Sequence, residues 1–131
     1  MPLTVGMDVV DVREVEESVA RFGDRYLQRV YTTRELAACA GGADARRLAA
    51  CFAAKEATLK TISIDDEPLD WRSVEVGLAS SGEASVALSG PCANRAAQTG
   101  IVRLSVSVGT TRSHATAVVL AEGSDAVEQT Y

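Results

Sequence analysis

Apolar and smaller or polar residues alternate at the start of the chain. Leu3, Val5 and Met7 mark one face, and LTVGMDVV reads as a strand. The period then changes. Val12, Val15, Val19 and Phe22 recur at helical spacing, and Asp11 with Glu14 fits a capping box, so a helix is predicted from Asp11 to about Phe22. Thr32 with Glu35 repeats that start signal, for a short helix ending at Gly41-Gly42. Asp44 opens a third and longer helix. Leu48, Phe52, Leu59 and Ile62 fall on one stripe of it, and Glu56 and Lys60 on a neighbouring stripe above Ala49 and Ala53.

Pro68 stops a helix from running on through DDEPLDW. Trp71 to Leu78 reads as a strand, Ser80-Ser81-Gly82 as a hairpin turn and Ala84 to Leu88 as its partner. Pro91 and Gly100 bracket a helix over PCANRAAQT. Val102, Leu104, Val106 and Val108 alternate with Arg103, Ser105 and Ser107, which predicts a strand with one buried face. Gly109 to Ser113 turns, and HATAVVLAE is the final strand. The sum is an α+β fold, an antiparallel sheet packed against a long helix. A length of 131 residues without repeat or linker fits one domain over 1–122, with 123–131 expected as a flexible tail.

Composition narrows the class. A hydrophobic share of 47% and a charged share of 24% are those of a soluble globular protein. No apolar run has membrane-spanning length, and MPLTVGMDVV lacks a secretory pattern, so the expected compartment is the cytoplasm and no membrane partner is expected. A net charge of −5 argues against nucleic acid, which requires a cationic face. Arginines nonetheless gather between Arg13 and Arg47, a distribution that suits an acidic partner. Three cysteines, Cys39, Cys51 and Cys92, at unrelated spacings fit neither a disulfide framework nor a Cys-type zinc site; each reads as a small buried residue.

Local chemistry leaves several residues with two readings. Asp8, at the end of an apolar strand, either caps the following helix or turn or serves as a ligand for a hard cation. Glu56 and Lys60 alone form an ordinary i,i+4 surface pair. His114, beside Arg112 and Ser113, fits a half-exposed structural role. A single histidine excludes an HExxH zinc hydrolase, and GxxxxGK[ST] and GxGxxG are absent.

The order of motifs says more. GMDVVDVREVEESVARFGDRYLQRVYTTREL, RRLAACFAAKEATLK, WRSVEV, GEASVALSG and VRLSVSV followed by ATAVV closely resemble the holo-acyl-carrier-protein synthase family, the small 4'-phosphopantetheinyl transferases, over about residues 5 to 121. The resemblance implies transfer of phosphopantetheine from coenzyme A to a serine of an acyl carrier protein, releasing adenosine 3',5'-bisphosphate. It implies Mg²⁺ held by Asp8 and Glu56, with Lys60 beside the phosphates. Coenzyme A contacts are implied at Lys55, Lys60, Ser63, Thr110 and Thr111, and a homotrimer with active sites at subunit interfaces. The carrier's recognition helix is acidic in this family, which gives Arg13, Arg21 and Arg25 the role of steering it. For the serine proton, Glu56 and a metal-bound water are alternatives.

The chain departs from the family around coenzyme A. Cys51 stands where an arginine is usual, SIDDEP (63–68) replaces a Gly-x-Gly loop, and Gly109-Thr110-Thr111 lacks the usual histidine. Gly82-Glu83-Ala84 replaces GKP, and Glu14 replaces an arginine. A charged hydrogen bond to phosphate is worth about 1.5–3 kcal/mol, and Arg46, Arg47 and Lys55 are predicted on other helix faces. The alternative is therefore a catalytically lapsed member acting as a carrier-binding or assembly module.

Overall fold

A computed structural model describes residues 2–62 and 70–124. The chain begins with strand β1, Leu3–Asp11, followed by helices α1, Val12–Phe22, α2, Asp24–Val30, and α3, Thr33–Ala38. A 3-10 turn, Ala40–Gly42, leads into the long helix α4, Ala45–Ile62. A second 3-10 turn, Trp71–Ser73, precedes the hairpin of β2, Val74–Leu78, and β3, Ala84–Leu88. Helix α5, Gly90–Gln98, and strands β4, Ile101–Thr110, and β5, His114–Gly123, complete the fold. β1, β5 and β4 form one antiparallel sheet in that order; β2 and β3 form another.

Helix α4 is the centre of the molecule. It packs against β1 and β5 on one side and against α1, α3 and β2 on others. Its burial follows from its composition. Ala49, Ala50, Cys51, Ala53, Ala54 and Ala57 are shielded along with Leu48 and Ile62, so the helix is buried nearly all round. The predicted stripe holds only in part, since Phe52 and Leu59 are half-buried. Thr58 and Thr61 tolerate the interior by donating their hydroxyls to the carbonyls of Ala54 and Thr58.

Several local expectations need correction. Asp11 caps α1, but its carboxylate accepts from the amide of Arg13, and no capping box with Glu14 forms. α2 is an additional helix with no counterpart among the expected elements: Gly23, at φ 56°, breaks the helical pattern, and Leu27 and Val30 bury the short face that follows. The capping box of Thr32 and Glu35 is present. Trp71–Ser73 is a 3-10 turn rather than the start of a strand. β4 alternates as expected only from Leu104 onward. A bulge between Ile101 and Arg103 turns Val102 outward, where it is 66% exposed. β5 reaches Gly123, whose amide bonds Pro2, and the amide of Ser124 bonds Gly100. Residues 125–131 of the expected tail lie outside the described residues.

The three-stranded sheet is inverted relative to ordinary amphipathic reasoning. On β1 the small Gly6 faces α4, while Leu3, Val5, Met7 and Val9 point outward at 54 to 63% exposure. Val118 and Leu120 of β5 share that outer face, registered against Met7 and Val5.

Candidate active site

β1 and α4 meet where the strand is smallest. A Cβ on Gly6 would stand 2.0 Å from the carbonyl oxygen of Ala57, so backbone touches backbone there. That approach brings the inward side chain of Asp8 to the stripe of α4 holding Glu56 and Lys60. Lys60 Nζ donates to the carbonyl of Met7 at 2.7 Å and lies 3.2 Å from Asp8 Oδ1. Asp8 is only 13% exposed, whereas Lys60 remains 54% exposed at the rim. Asp8 caps no helix: the N-cap of α1 is Asp11.

Glu56 and Asp8 lie within hydrogen-bonding reach of each other. Burial pushes the Glu56 carboxyl up from its ordinary 4.5 to about 7; the hydrogen bond to Asp8 and the charge of Asp8 add to the rise, while Lys60 opposes it. Asp8 Oδ2 is buried with no donor of its own. Two carboxylates within hydrogen-bonding reach hold either a shared proton or a cation between them. The oxygen-only donor set and the orphaned Asp8 Oδ2 suit a hard divalent ion that takes its remaining ligands from water or phosphate. Two carboxylates are fewer than a closed protein cage needs, and no cluster of three His, Cys, Asp or Glu occurs among the described residues.

Other expected site residues lie elsewhere. Lys55 does not reach a ligand: it is fully buried, with its Nζ 2.8 Å from Glu35 Oε1 and bonded to the carbonyls of Trp71 and Val74. Its expected coenzyme A contact is therefore corrected to an internal ion pair. A lysine among alanines on a central helix faces the core. Glu35, its partner, both closes the capping box of α3 and pairs with Lys55. Thr110 and Thr111 are exposed at the β4–β5 turn. Thr110 lies two rungs along the sheet and across β5 from Asp8, and Thr111 Oγ1 accepts the amides of Ser113 and His114. Within one chain they do not join the carboxylate pair. Ser63 and the rest of SIDDEP lie outside the described residues.

Arg13 and Arg21 are exposed on α1 and Arg25 on α2. The Arg21 guanidinium lies 5.3 Å from the ring centroid of Phe22, itself half exposed. Glu14, Glu16 and Glu17 share α1, so this surface is mixed in charge. Cys51, Cys39 and Cys92 are buried as expected, with Cys39 and Cys51 sulfurs 4.0 Å apart. Arg47 is spent on the carbonyls of Ala38, at 2.7 Å, and Leu78, at 2.8 Å. Arg46 instead lines a cleft of about 580 Å³ with Arg112, Glu16 and Asp44. His114 is exposed, its Nδ1 2.9 Å from Ser113 Oγ.

Known proteins are similar to this chain in sequence and in fold. The sequence profile of the 4'-phosphopantetheinyl transferase superfamily matches residues 4–119. A holo-[acyl-carrier-protein] synthase of Koribacter versatilis is 39% identical over 124 residues, covering 93% of this chain and 99% of that protein. One from Chloroflexus aurantiacus is also 39% identical, covering 88% and 95%. Among solved structures, a Chronobacterium ammoniagenes ACPS-CoA complex superposes with a TM-score of 0.82 at 25% identity, covering 95% of this chain and 99% of that one. The Helicobacter pylori holo-[acyl-carrier-protein] synthase in complex with coenzyme A gives 0.78 at 26% identity, covering 91% and 100%.

Proposed function

The chain belongs to the 4'-phosphopantetheinyl transferase superfamily, and we propose that it transfers 4'-phosphopantetheine from coenzyme A to a serine of an apo acyl carrier protein. It is an enzyme of the holo-[acyl-carrier-protein] synthase type, as are relatives covering most of its length. The observation that carries the site assignment is the meeting of Asp8 and Glu56 from separate elements, with Lys60 on Asp8.

In the reaction the serine oxygen forms a bond to the phosphorus bearing pantetheine, and the bond from that phosphorus to adenosine 3',5'-bisphosphate breaks. Asp8 and Glu56 are the residues that would hold Mg²⁺. When bound, that ion offsets the negative charge gathering on the phosphate oxygens. Lys60 adds a cation at the rim, held in place by Met7 and Asp8, and its exposed face is free to meet an incoming phosphate. The serine proton leaves to an acceptor, for which Glu56 is the candidate this chain supplies.

The outer face of the three-stranded sheet supports assembly. Leu3, Val5, Met7 and Val9 with Val118 and Leu120 make an apolar surface that a lone chain leaves in water. A homotrimer covering that face is the proposed state, in which Thr110 and Thr111 contact coenzyme A bound at a neighbouring subunit's carboxylates. Arg13, Arg21 and Arg25 steer the acidic carrier, and the proposed compartment is the cytoplasm. No helix among the described residues is long and apolar enough to cross a membrane.

The test is direct. The protein is incubated with Mg²⁺, coenzyme A and several apo carrier proteins, and mass spectrometry reads the phosphopantetheine gain. Transfer that is lost in Asp8→Ala and Glu56→Ala supports the assignment. The alternative is a lapsed member acting as a carrier-binding or assembly module. That reading is expected to yield no transfer to any carrier and no calorimetric coenzyme A binding.

A further inference from the structure

The ion pair of Glu35 and Lys55 touches neither carboxylate of the proposed cation site, yet Lys55 directly precedes Glu56. Both side chains are fully shielded from solvent. The three donors of the ammonium are all used, by Glu35 Oε1, Trp71 O and Val74 O. Glu35 is equally engaged. Its Oε1 also accepts the amide of Thr32 at 2.8 Å, and its Oε2 accepts the amide of Val76 at 2.7 Å. One buried pair thus joins the start of α3, the middle of α4 and the entry to β2.

Stability alone does not account for it. Replacing a buried ion pair by apolar residues of similar volume is often neutral or stabilising. Apolar burial, however, is non-directional, whereas an ammonium with three fixed acceptors sets the angle at which its helix is turned. Neighbouring helical residues differ by about 100° at 3.6 residues per turn, so fixing Lys55 fixes where Glu56 points. On the opposite side α4 is pressed against Gly6 through Ala57. The helix is held between those two contacts, with Glu56 turned toward Asp8.

We propose that Lys55, anchored by Glu35, is a positioning residue that sets the rotation of α4 and thereby holds Glu56 against Asp8 in cation-binding geometry. This rests on the reading of Asp8 and Glu56 as the cation ligands. The experiment measures Mn²⁺ binding to the whole protein in the presence of coenzyme A, from the electron paramagnetic signal of the free ion, at a temperature where each variant is folded by circular dichroism. Wild-type binding that disappears in Asp8→Ala is the expected baseline. No Mn²⁺ binding by the wild-type protein overturns the site assignment, and this inference with it.

Given that baseline, Lys55→Met is expected to bind Mn²⁺ about 10- to 100-fold more weakly, the range seen when support of a metal ligand is removed. The Mg²⁺ needed for half-maximal transfer should rise by the same factor, with the KM for carrier protein unchanged. Ile62→Ala, a cavity elsewhere on α4, supplies the comparison for general destabilisation. Lys55→Met losing no more Mn²⁺ affinity than Ile62→Ala overturns the proposal. Should Lys55→Met fail to fold, Glu35→Asp keeps both charges while drawing the anchor back by one methylene, and the same comparison decides.

Discussion

Gly6 and Ala57 touch through their backbones: a Cβ on the glycine would lie 2.0 Å from the alanine's carbonyl oxygen and 3.1 Å from Thr61 Cγ2. Neither partner can yield cheaply, because one is helix backbone and the other a buried side chain. Gly6→Ala is expected to push α4 off β1 and part Asp8 from Glu56 and Lys60. Overpacking of this kind costs about 1–3 kcal/mol or more. Thermal unfolding should show the loss, and transfer activity should fall further than in a core variant of equal Tm such as Ile62→Ala. Equal losses of activity would show that this contact does not shape the site.

Glu56 gives stability a pH dependence whose sign follows from its raised carboxyl. In the unfolded chain the group ionises near its ordinary 4.5; in the folded, metal-free protein it keeps its proton to about 7. Folding therefore takes up a proton between those values. Stability falls as pH rises through that window and levels off above about 7. Denaturant midpoints in the presence of chelator should decline across it in the wild-type protein and more weakly in Glu56→Gln. Identical pH slopes for the two proteins would contradict the placement of the carboxyl against Asp8.

Metal affinity should depend on pH in the opposite sense. The proton that Glu56 holds below about 7 must leave for a divalent ion to enter. Apparent Mg²⁺ affinity is expected to drop by up to about tenfold for each pH unit below that value, the limit for competition with one proton. Calorimetry at several pH values, in buffers of different ionisation enthalpy, counts the proton released.

Charge reversal on α1 separates the two substrates. Arg21→Glu is expected to raise the KM for carrier protein and to make transfer less sensitive to salt, with coenzyme A affinity nearly unchanged. Comparable damage to both affinities would assign Arg21 to the coenzyme A site rather than to carrier docking.

A charge on the apolar outer face tests assembly. Val5→Lys places an ammonium beside Leu120 in the middle of that surface. Light scattering should then report a single-chain mass, with transfer lost while circular dichroism is retained. A variant that stays oligomeric would show that copies meet through another surface.

Much of this was legible in the sequence. Alternation in β1, the hairpin of β2 and β3, the final strand β5 and the Thr32–Glu35 box are written in adjacent residues. The candidate pair came from the family resemblance carried by GMDVV and FAAKEATLK together, and the structure brings Asp8, Glu56 and Lys60 together. No local pattern carries the partner of each charge. Lys55 and Lys60 look alike in a list of residues, but one meets Glu35 in the core and the other meets Asp8 at a rim.

The same division holds for the sheet. Sequence alone established the period of β1 and the starts of α1 and α3, since these depend on φ/ψ preferences and on contacts within about four residues. Only the tertiary structure decided which face of β1 is inward. Gly6 admits the α4 backbone, and that close approach turns Leu3, Val5, Met7 and Val9 to the outside against hydrophobic expectation. The distance between two backbones far apart in the chain decides it, and no local pattern encodes that distance.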